Sequence, residues 1–589
     1  MTHFYHLSFG EINSDFKTFP AFCCYICIKI LAMKKTIFLI ASLVFTTYLF
    51  AQQSGNKMYA VVFKDKGTTT DASLNPYTYL SEKSVERRLK QKIAFDETDL
   101  PVNKHYIQSI SETGARIMTR SRWFNTVVIE TTADVAGKIS ALPFVTNIQL
   151  IDNGTNSSVS SKSVKPFFEA ESIKQSQTAI EKKVTTDIYN YGGAYNQINQ
   201  LHGQYLHNLG YSGQGMTIAV IDAGFNSVDV LTCFDSLRSN NQIKGTHDFA
   251  VPGNNVYATS MHYHGTCVLS CMGAYVSGQM IGTAPKADYW LLRSEVGETE
   301  TVIEEYYWVS AAEFADSVGV DLINSSLGYT TFDPPGTGNH TYADMDGNTT
   351  FVTRGADKAA EKGILVVNSA GNEGSSPWRY ISAPADGDSV FSIGAVDAAG
   401  NRADFSSLGP TYDRRIKPTV AAQGVNAALF FPSGFGYGSG TSFSSPITCG
   451  ITACFWQANP DLNNMQVIEA IKATASQAYQ PDSLLGWGIP NYQTAYTSLS
   501  VHNQDVGNAL ITYPNPVTNR ITLGFPDALH GKYNVEIIDV QGKVVFSLKG
   551  NEASIRSLQI NSLGDFPSGI YLVKVSNGTL VFSGRFVKI

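Results

Sequence analysis

Three short stretches carry side chains able to act together on a carbonyl carbon. Ser442 lies in Gly438-Ser439-Gly440-Thr441-Ser442-Phe443-Ser444-Ser445-Pro446, and the apolar run from Ile447 to Trp456 that follows reads as a buried helix. Pro446 suits the first turn of that helix, where a missing N–H costs nothing. A serine at such an N-terminus meets unpaired amides and the positive end of the helix dipole, which favour the negative charge created by attack on a carbonyl. Asp222 closes the apolar run Met216–Ile221, which reads as a buried parallel strand. The carboxyl edge of such a sheet is where open α/β folds place their chemistry. His264, in His262-Tyr263-His264-Gly265-Thr266, precedes an apolar helix start. Taken singly, the serine could be a loop residue and the aspartate a turn cap. Taken together the three supply a nucleophile, a base and an acid to orient the base.

The elements that must position them alternate in type. Strands are expected at Met216–Ile221, Ala287–Leu292, Leu322–Asn324 and Ile364–Val367, with helical stretches at Thr301–Val318 and Thr353–Lys362 between them. Gly319 and Gly363 punctuate the helix ends. This alternation predicts an α/β unit over residues 185–500: a parallel sheet with helices on both faces.

Asp222 in Ile-Asp-x-Gly, His264 in His-Gly-Thr and Ser442 in Gly-Thr-Ser-x-x-Ser-Pro, in that chain order, resemble the subtilisin-like (subtilase) serine proteases. An α/β-hydrolase elbow would need a second glycine that Gly440-Thr441-Ser442-Phe443-Ser444 lacks. His262 is a rival base without the Gly-Thr that follows His264, and reads as a rim residue. The resemblance implies a subtilisin-like sheet and an Asp222–His264–Ser442 triad. It also makes Asn372, in Asn368-Ser369-Ala370-Gly371-Asn372-Glu373-Gly374, the side-chain donor to the oxyanion. Ser326-Leu327-Gly328 and Ser369-Ala370-Gly371 resemble the walls of the specificity pocket, with Ser382 at its floor. A small uncharged floor is expected to take an apolar or aromatic residue before the scissile bond. Thr419 and Gln423 depart from the family pattern, and Phe225-Asn226-Ser227-Val228-Asp229 replaces its usual segment after the acid, so no calcium ligands carry over. The chemistry needs no cofactor. For structural calcium the local candidates are Asp344, Asp346 and Asn348, whose oxygens alternate as in a hard-cation loop, although a solvated turn is the preferred reading and no Glu closes the loop at EF-hand spacing.

A chain of 589 residues exceeds one core. Its net charge of −7 argues against a nucleic-acid partner, and 43% hydrophobic with 16% charged residues describes a folded chain. Met33-Lys34-Lys35 and the apolar Thr36–Phe50 have the form of a secretory signal over 33–52, which makes residues 1–32 a mis-assigned start. Outside that leader five cysteines remain, Cys233, Cys267, Cys271, Cys449 and Cys454, and they read as small buried hydrophobes.

Residues 53–151 show a β-α-β-β-α-β order, that of a ferredoxin-like fold. Its parts are Met58–Phe63, Asn103–Ser111, Ala115–Met118, Thr126–Glu130, Asp134–Leu142 and Val145–Leu150. By position this unit resembles the inhibitory propeptide of subtilases, with an ordinary accessory domain as the alternative. Residues 152–184, rich in Ser, Lys and Thr, form a linker suited to cleavage. From 501 to 589 the chain turns to short β runs with an Asn577-Gly578 hairpin signal, and a small β-sandwich is expected. Tyr513-Pro514-Asn515-Pro516, Asp539-Val540-Gln541-Gly542-Lys543, Gly569-Ile570-Tyr571 and Phe586-Val587-Lys588-Ile589 resemble the sorting domain of the type IX secretion system. That implies export through the periplasm to the surface or medium of a Gram-negative cell, with the secretion machinery and protein or peptide substrates as partners of a monomer. A carbohydrate-binding module is the alternative for the tail. For the whole chain, the alternative to a secreted endopeptidase is a catalytically silent surface or adhesion protein on the same fold.

Overall fold

The computed structural model describes residues 55–67, 75–153, 187–333, 338–507, 510–577 and 581–589. The leader and nearly all of the expected linker lie outside these residues.

In β1 (Lys57–Phe63) Tyr59, Val61 and Phe63 face one way and Met58 and Ala60 the other, the period-two pattern of a strand. The first set packs on α2 (Lys104–Ser111) and α3 (Ala133–Ser140). With β2 (Arg116–Ser121), β3 (Thr126–Thr131) and β4 (Val145–Asp152) it forms an antiparallel sheet of order β2-β3-β1-β4, the expected ferredoxin-like arrangement. The opposite face is buried as well. Ala60, Val128 and Ile151 join Ile303, Tyr306 and Tyr307 of α5 (Ile303–Val318) in one apolar cluster.

One α-helix of this unit was not expected, α1 (Glu82–Lys90), capped by Ser81, whose hydroxyl accepts from Ser84 N. Its Arg87 and Arg88 are buried against the central domain, where both reach Asp316 of α5. Arg122 donates to the same carboxylate at 2.7 Å. Lys83 bonds Thr217 and Asp321, and Lys362 pairs with Asp96 and Asp99. Glu313 accepts from Ser121 Oγ and from the Arg122 and Trp123 amides.

The central domain is built on β5 (Thr217–Asp222), β6 (Ile243–Asp248), β7 (Asp288–Arg293), β8 (Leu322–Ser325), β9 (Leu365–Ser369), β10 (Phe391–Val396) and β11 (Val420–Gln423). All pairs are parallel, in the order β11-β10-β9-β8-β5-β7-β6. The alternation of β5 explains the two layers around it. Ile218 and Val220 face a core containing α4 (His264–Gly273) and α7 (Thr441–Ala458), while Ala219 and Ile221 face α5 and α6 (Phe351–Glu361). The central domain is an α/β unit with helices on both faces of a parallel sheet, as expected.

α7 begins at Thr441, not near Pro446, so the proline sits inside the helix. Proline cannot donate to the carbonyl four residues back, here Ser442 O. That carbonyl instead accepts the Ser326 hydroxyl at 2.9 Å. In the tail, the long strands Ile521–Ile538 and Val544–Ile560 pair with each other through several register shifts. With Ile511–Tyr513, Gly569–Ser576 and Val581–Lys588 they form one connected antiparallel sheet around a core of its own, longer in strand and more continuous than expected. The Asn577-Gly578 turn lies partly outside the described residues.

All five cysteines are buried and free, and burial pushes the Cys233 thiol up to about 12. His207 is fully buried, with Tyr191 Oη 2.8 Å from Nδ1 and Thr283 O 3.0 Å from Nε2. The neutral ring satisfies both contacts, and burial lowers its pKa from 6.5 to about 4. Because the folded state takes up this proton later than the unfolded chain, the associated stability is whole above pH 6.5 and drains away as pH falls toward 4. The expected loss by pH 4.5 is about 2–3 kcal/mol. Urea midpoints at the two pH values check this, and His207→Gln should flatten the difference.

Candidate active site

Asp222 is the last residue of β5 and fully buried. Its Oδ1 accepts the Ala223 N–H at 2.7 Å. His264, the first residue of α4, places Nδ1 2.9 Å from Asp222 Oδ1 and 3.1 Å from Oδ2. A carboxylate only accepts, so it holds the ring proton on Nδ1 and leaves Nε2 as the basic nitrogen. The approach of α4 to the strand end depends on Gly265. A Cβ there would stand 2.5 Å from Gly224 O and 3.0 Å from Asp222 Cβ. His262 is half-buried, stacks on Tyr263, and accepts the His264 N–H on its Nδ1 at 3.2 Å. It thus supports the base rather than competing with it.

Ser442 is the second residue of α7 and 1% exposed. At that position an N–H has no acceptor within the helix. Its Oγ lies 3.5 Å from Ser326 O. The ring of the adjacent Phe443 is centred 6.1 Å from that of His264, which brings the start of α7 to the start of α4. Asn372 Oδ1 accepts both the Thr441 N–H at 2.9 Å and the Thr441 hydroxyl at 2.8 Å. With the oxygen so engaged, the amide Nδ2 is turned the other way. A Cβ on Gly440 would lie 3.5 Å from Asn372 Nδ2 and 3.7 Å from Ser442 N, so both donors border one small space that Gly440 leaves open.

Ser326-Leu327-Gly328 continues from β8 and Ser369-Ala370-Gly371 from β9, at the same sheet edge. Asn368 Nδ2 ties the two by donating to Leu327 O at 3.0 Å. Ser382 is buried beside them, its N–H 3.4 Å from Ala370 O.

The Asp344, Asp346 and Asn348 side chains serve their own turns. Asp344 accepts the Thr341 amide and hydroxyl, and Asp346 accepts the amides of Asn348 and Thr349 and the Thr349 hydroxyl. Asn348 donates back to Asp346 O. Their spacing satisfies the backbone of their own turns, which is why it mimics a ligand loop in sequence. Among the described residues one acidic trio does converge elsewhere: ligand oxygens of Glu295, Glu300 and Glu304 lie within 4.8 Å of one another. Glu304 there accepts the Val296 and Thr301 amides. Lys417, in the stretch that departs from the family pattern, gives its ammonium to Val390 O at 2.6 Å, and burial lowers its pKa to about 8.

Residues 213–488 match the subtilase family, residues 58–166 the peptidase S8 propeptide domain of Bacteroidota, and residues 512–589 the secretion system C-terminal sorting domain. Subtilisin NAT of Bacillus subtilis subsp. natto is 31% identical over 303 residues, which cover 51% of this chain and 70% of that protein. Subtilisin of Bacillus pumilus is 31% identical over 303 residues, covering 51% of this chain and 97% of that protein. The crystal structure of MycP1 from the ESX-1 type VII secretion system is similar at a TM-score of 0.41 and 21% identity, over 52% of this chain and 86% of that one.

Proposed function

Because this chain belongs to the subtilase family of serine peptidases, we propose that it is an exported endopeptidase acting through Asp222, His264 and Ser442. Ser442 Oγ attacks the scissile carbonyl carbon while its proton passes to His264 Nε2, and Asp222 orients and stabilises the imidazolium. The oxyanion is held by Asn372 Nδ2 and the Ser442 N–H beside Gly440. His264 then gives its proton to the leaving amine, and water, activated by the same ring, releases the acyl group from Ser442. Substrate backbone pairs with the extended segments Ser326-Leu327-Gly328 and Ser369-Ala370-Gly371. The observation that carries this reading is the grip of both Asp222 oxygens on His264 Nδ1, at 2.9 and 3.1 Å. A silent surface protein on the same fold gains nothing from that arrangement.

A serine-directed phosphonate tests the reading. It should label Ser442 and stop casein hydrolysis in proportion, whereas hydrolysis that survives full labelling overturns the assignment. Asn372→Asp keeps the acceptor for Thr441 and loses only the amide donor. Turnover should fall by at least about 10²–10³ with little change in KM. An unchanged kcat would remove Asn372 from the oxyanion site.

Residues 53–151 act in this reading as an inhibitory propeptide, cut within 152–184. The tail contributes delivery rather than chemistry. A chain ending near Ser500 should keep its peptidase activity after refolding and, in the native host, accumulate in the periplasm. Cell fractionation with an activity assay on each fraction checks both parts.

A further inference from the structure

His264 stands at the first position of α4, where an N–H has no acceptor within the helix. Tyr263, at the cap position, makes no side-chain bond that would cover it. The acceptor comes from one residue further back, where His262 Nδ1 takes the His264 N–H at 3.2 Å. To accept there, the His262 ring must be neutral with its proton on Nε2. The helix that begins with the base is therefore capped by a group that titrates near neutral pH, in place of the Asp, Asn, Ser or Thr that usually serve.

His262 is also wedged between the loops that carry the site. Its backbone runs past Gly224, two residues after Asp222, where a Cβ would stand 2.7 Å from His262 O and 3.0 Å from its N. Its ring stacks on Tyr263, with centroids 5.0 Å apart, and packs on the loop after β7, where a Cβ on Gly297 would lie 3.0 Å from His262 Cδ2. The centre of the ring is 6.4 Å from that of His264. His264 is 4% exposed, whereas His262 is only half-buried, so solvent protons reach it. The ionisable groups around it are Tyr263 in the stack, His264 with Asp222 behind it, and Glu295, Glu298 and Glu300 on the loop that holds Gly297. Of these, Glu295 is buried and takes the Tyr329 hydroxyl, and Glu298 is exposed.

We propose that His262 is a positioning residue that makes the alignment of His264 depend on a second proton. A proton taken up at His262 Nδ1 turns the acceptor into a donor aimed at the His264 N–H, and it places positive charge at a helix start whose dipole is already positive. Both effects drive the start of α4 away, and with it the ring that Asp222 holds at 2.9 and 3.1 Å. The inference rests on the peptidase reading above, in which only a neutral His264 ring can act as base. Activity then requires two neutral rings, and its loss in acid is a coupled two-proton event.

The test is the pH dependence of kcat/KM for the mature enzyme, obtained by processing of the full chain, on an uncharged peptide. In acid the logarithm should fall with a slope approaching two, where a lone histidine base gives one. His262→Asn keeps a side-chain acceptor for an N–H two residues on and has no proton to gain, so its slope should be one. Between about pH 7.5 and 5.5 it should lose about tenfold less activity than the parent, the factor by which a group with the ordinary histidine pKa of about 6.5 ionises. His262→Phe keeps a ring to stack on Tyr263 but no acceptor. Its kcat at pH 7.5 should fall by about tenfold, the effect of one lost hydrogen bond, and asparagine should recover most of that loss. A parent slope of one overturns the proposal without need of any variant, as does a slope of two that persists in His262→Asn, or a phenylalanine variant as active as the parent. Phosphonate labelling separates this from failure of the peptidase reading. Enzyme that labels at Ser442 and loses activity through a single proton refutes the role of His262 alone, and protein that neither labels nor cleaves refutes the peptidase reading itself.

Discussion

Ser442→Ala is expected to abolish proteolysis while leaving the fold intact, with kcat down by about 10⁶, the scale found for a subtilisin stripped of its serine. The hydroxyl makes only a marginal contact, with Ser326 O at 3.5 Å, so little structure depends on it. The link between α7 and the β8 wall runs instead through the Ser442 carbonyl and Ser326 Oγ at 2.9 Å, and alanine keeps that carbonyl. The variant should therefore unfold at the parent temperature. If the enzyme cuts its own linker, the variant should also retain the N-terminal unit, and N-terminal sequencing would find no start between about residues 152 and 185. Casein hydrolysis at the parent rate would end the assignment of Ser442. A mature N-terminus within that range on the inactive variant would show that another protease performs the maturation.

Asp222, His264 and Ser442 stand out in the sequence because each sits in a local pattern with a physical cause. Asp222 ends an apolar strand, His264 needs a glycine after it to approach that strand, and Ser442 needs a helix start. The start of α7 was misplaced because Gly, Ser, Thr and Pro together read as a loop. What permits a proline at the sixth helical residue is a hydroxyl from another strand, Ser326, and no local signal reports it. Helix α1 was missed for a related reason. Glu-Lys-Ser-Val-Glu-Arg-Arg-Leu-Lys looks like a solvated segment, yet Arg87 and Arg88 are buried because carboxylates distant in sequence receive them. Short β runs were expected in the tail, and two of its strands, Ile521–Ile538 and Val544–Ile560, are long. The first takes up Gly524 and Pro526 in a register shift between Gly524 and Leu529. At Asp344, Asp346 and Asn348 the sequence is ambiguous, since spacing that suits a cation also suits the turns their oxygens serve.

Asp316→Asn is expected to destabilise the uncleaved chain and leave the mature domain unharmed. Asp316 lies in the last turn of α5, where an acid opposes the helix dipole, and that turn carries no basic residue. The carboxylate is fully buried and takes Arg87 at 2.5 Å, Arg88 at 2.8 Å and Arg122 at 2.7 Å, all from the N-terminal unit. The compensation for an unfavourable charge on the central domain is thus supplied by the N-terminal unit, the segment that the proposed maturation would remove. Asparagine matches the shape of aspartate but leaves three guanidiniums without their shared anion, although Asp99 still holds Arg88. Removing one partner from a buried ionic cluster typically costs about 3–5 kcal/mol. Measured on the Ser442→Ala background, so that no cleavage intervenes, the substitution should lower the unfolding free energy from denaturant titration by that amount. In the mature domain the same change relieves the helix end, and stability should rise by about 0.3–1 kcal/mol. Opposite signs in the two forms are the signature of an N-terminal unit that acts as a removable counter-charge for α5. Equal losses in both forms would mean that Asp316 serves the central domain alone, and no loss in either would mean that the three arginines contribute nothing to docking.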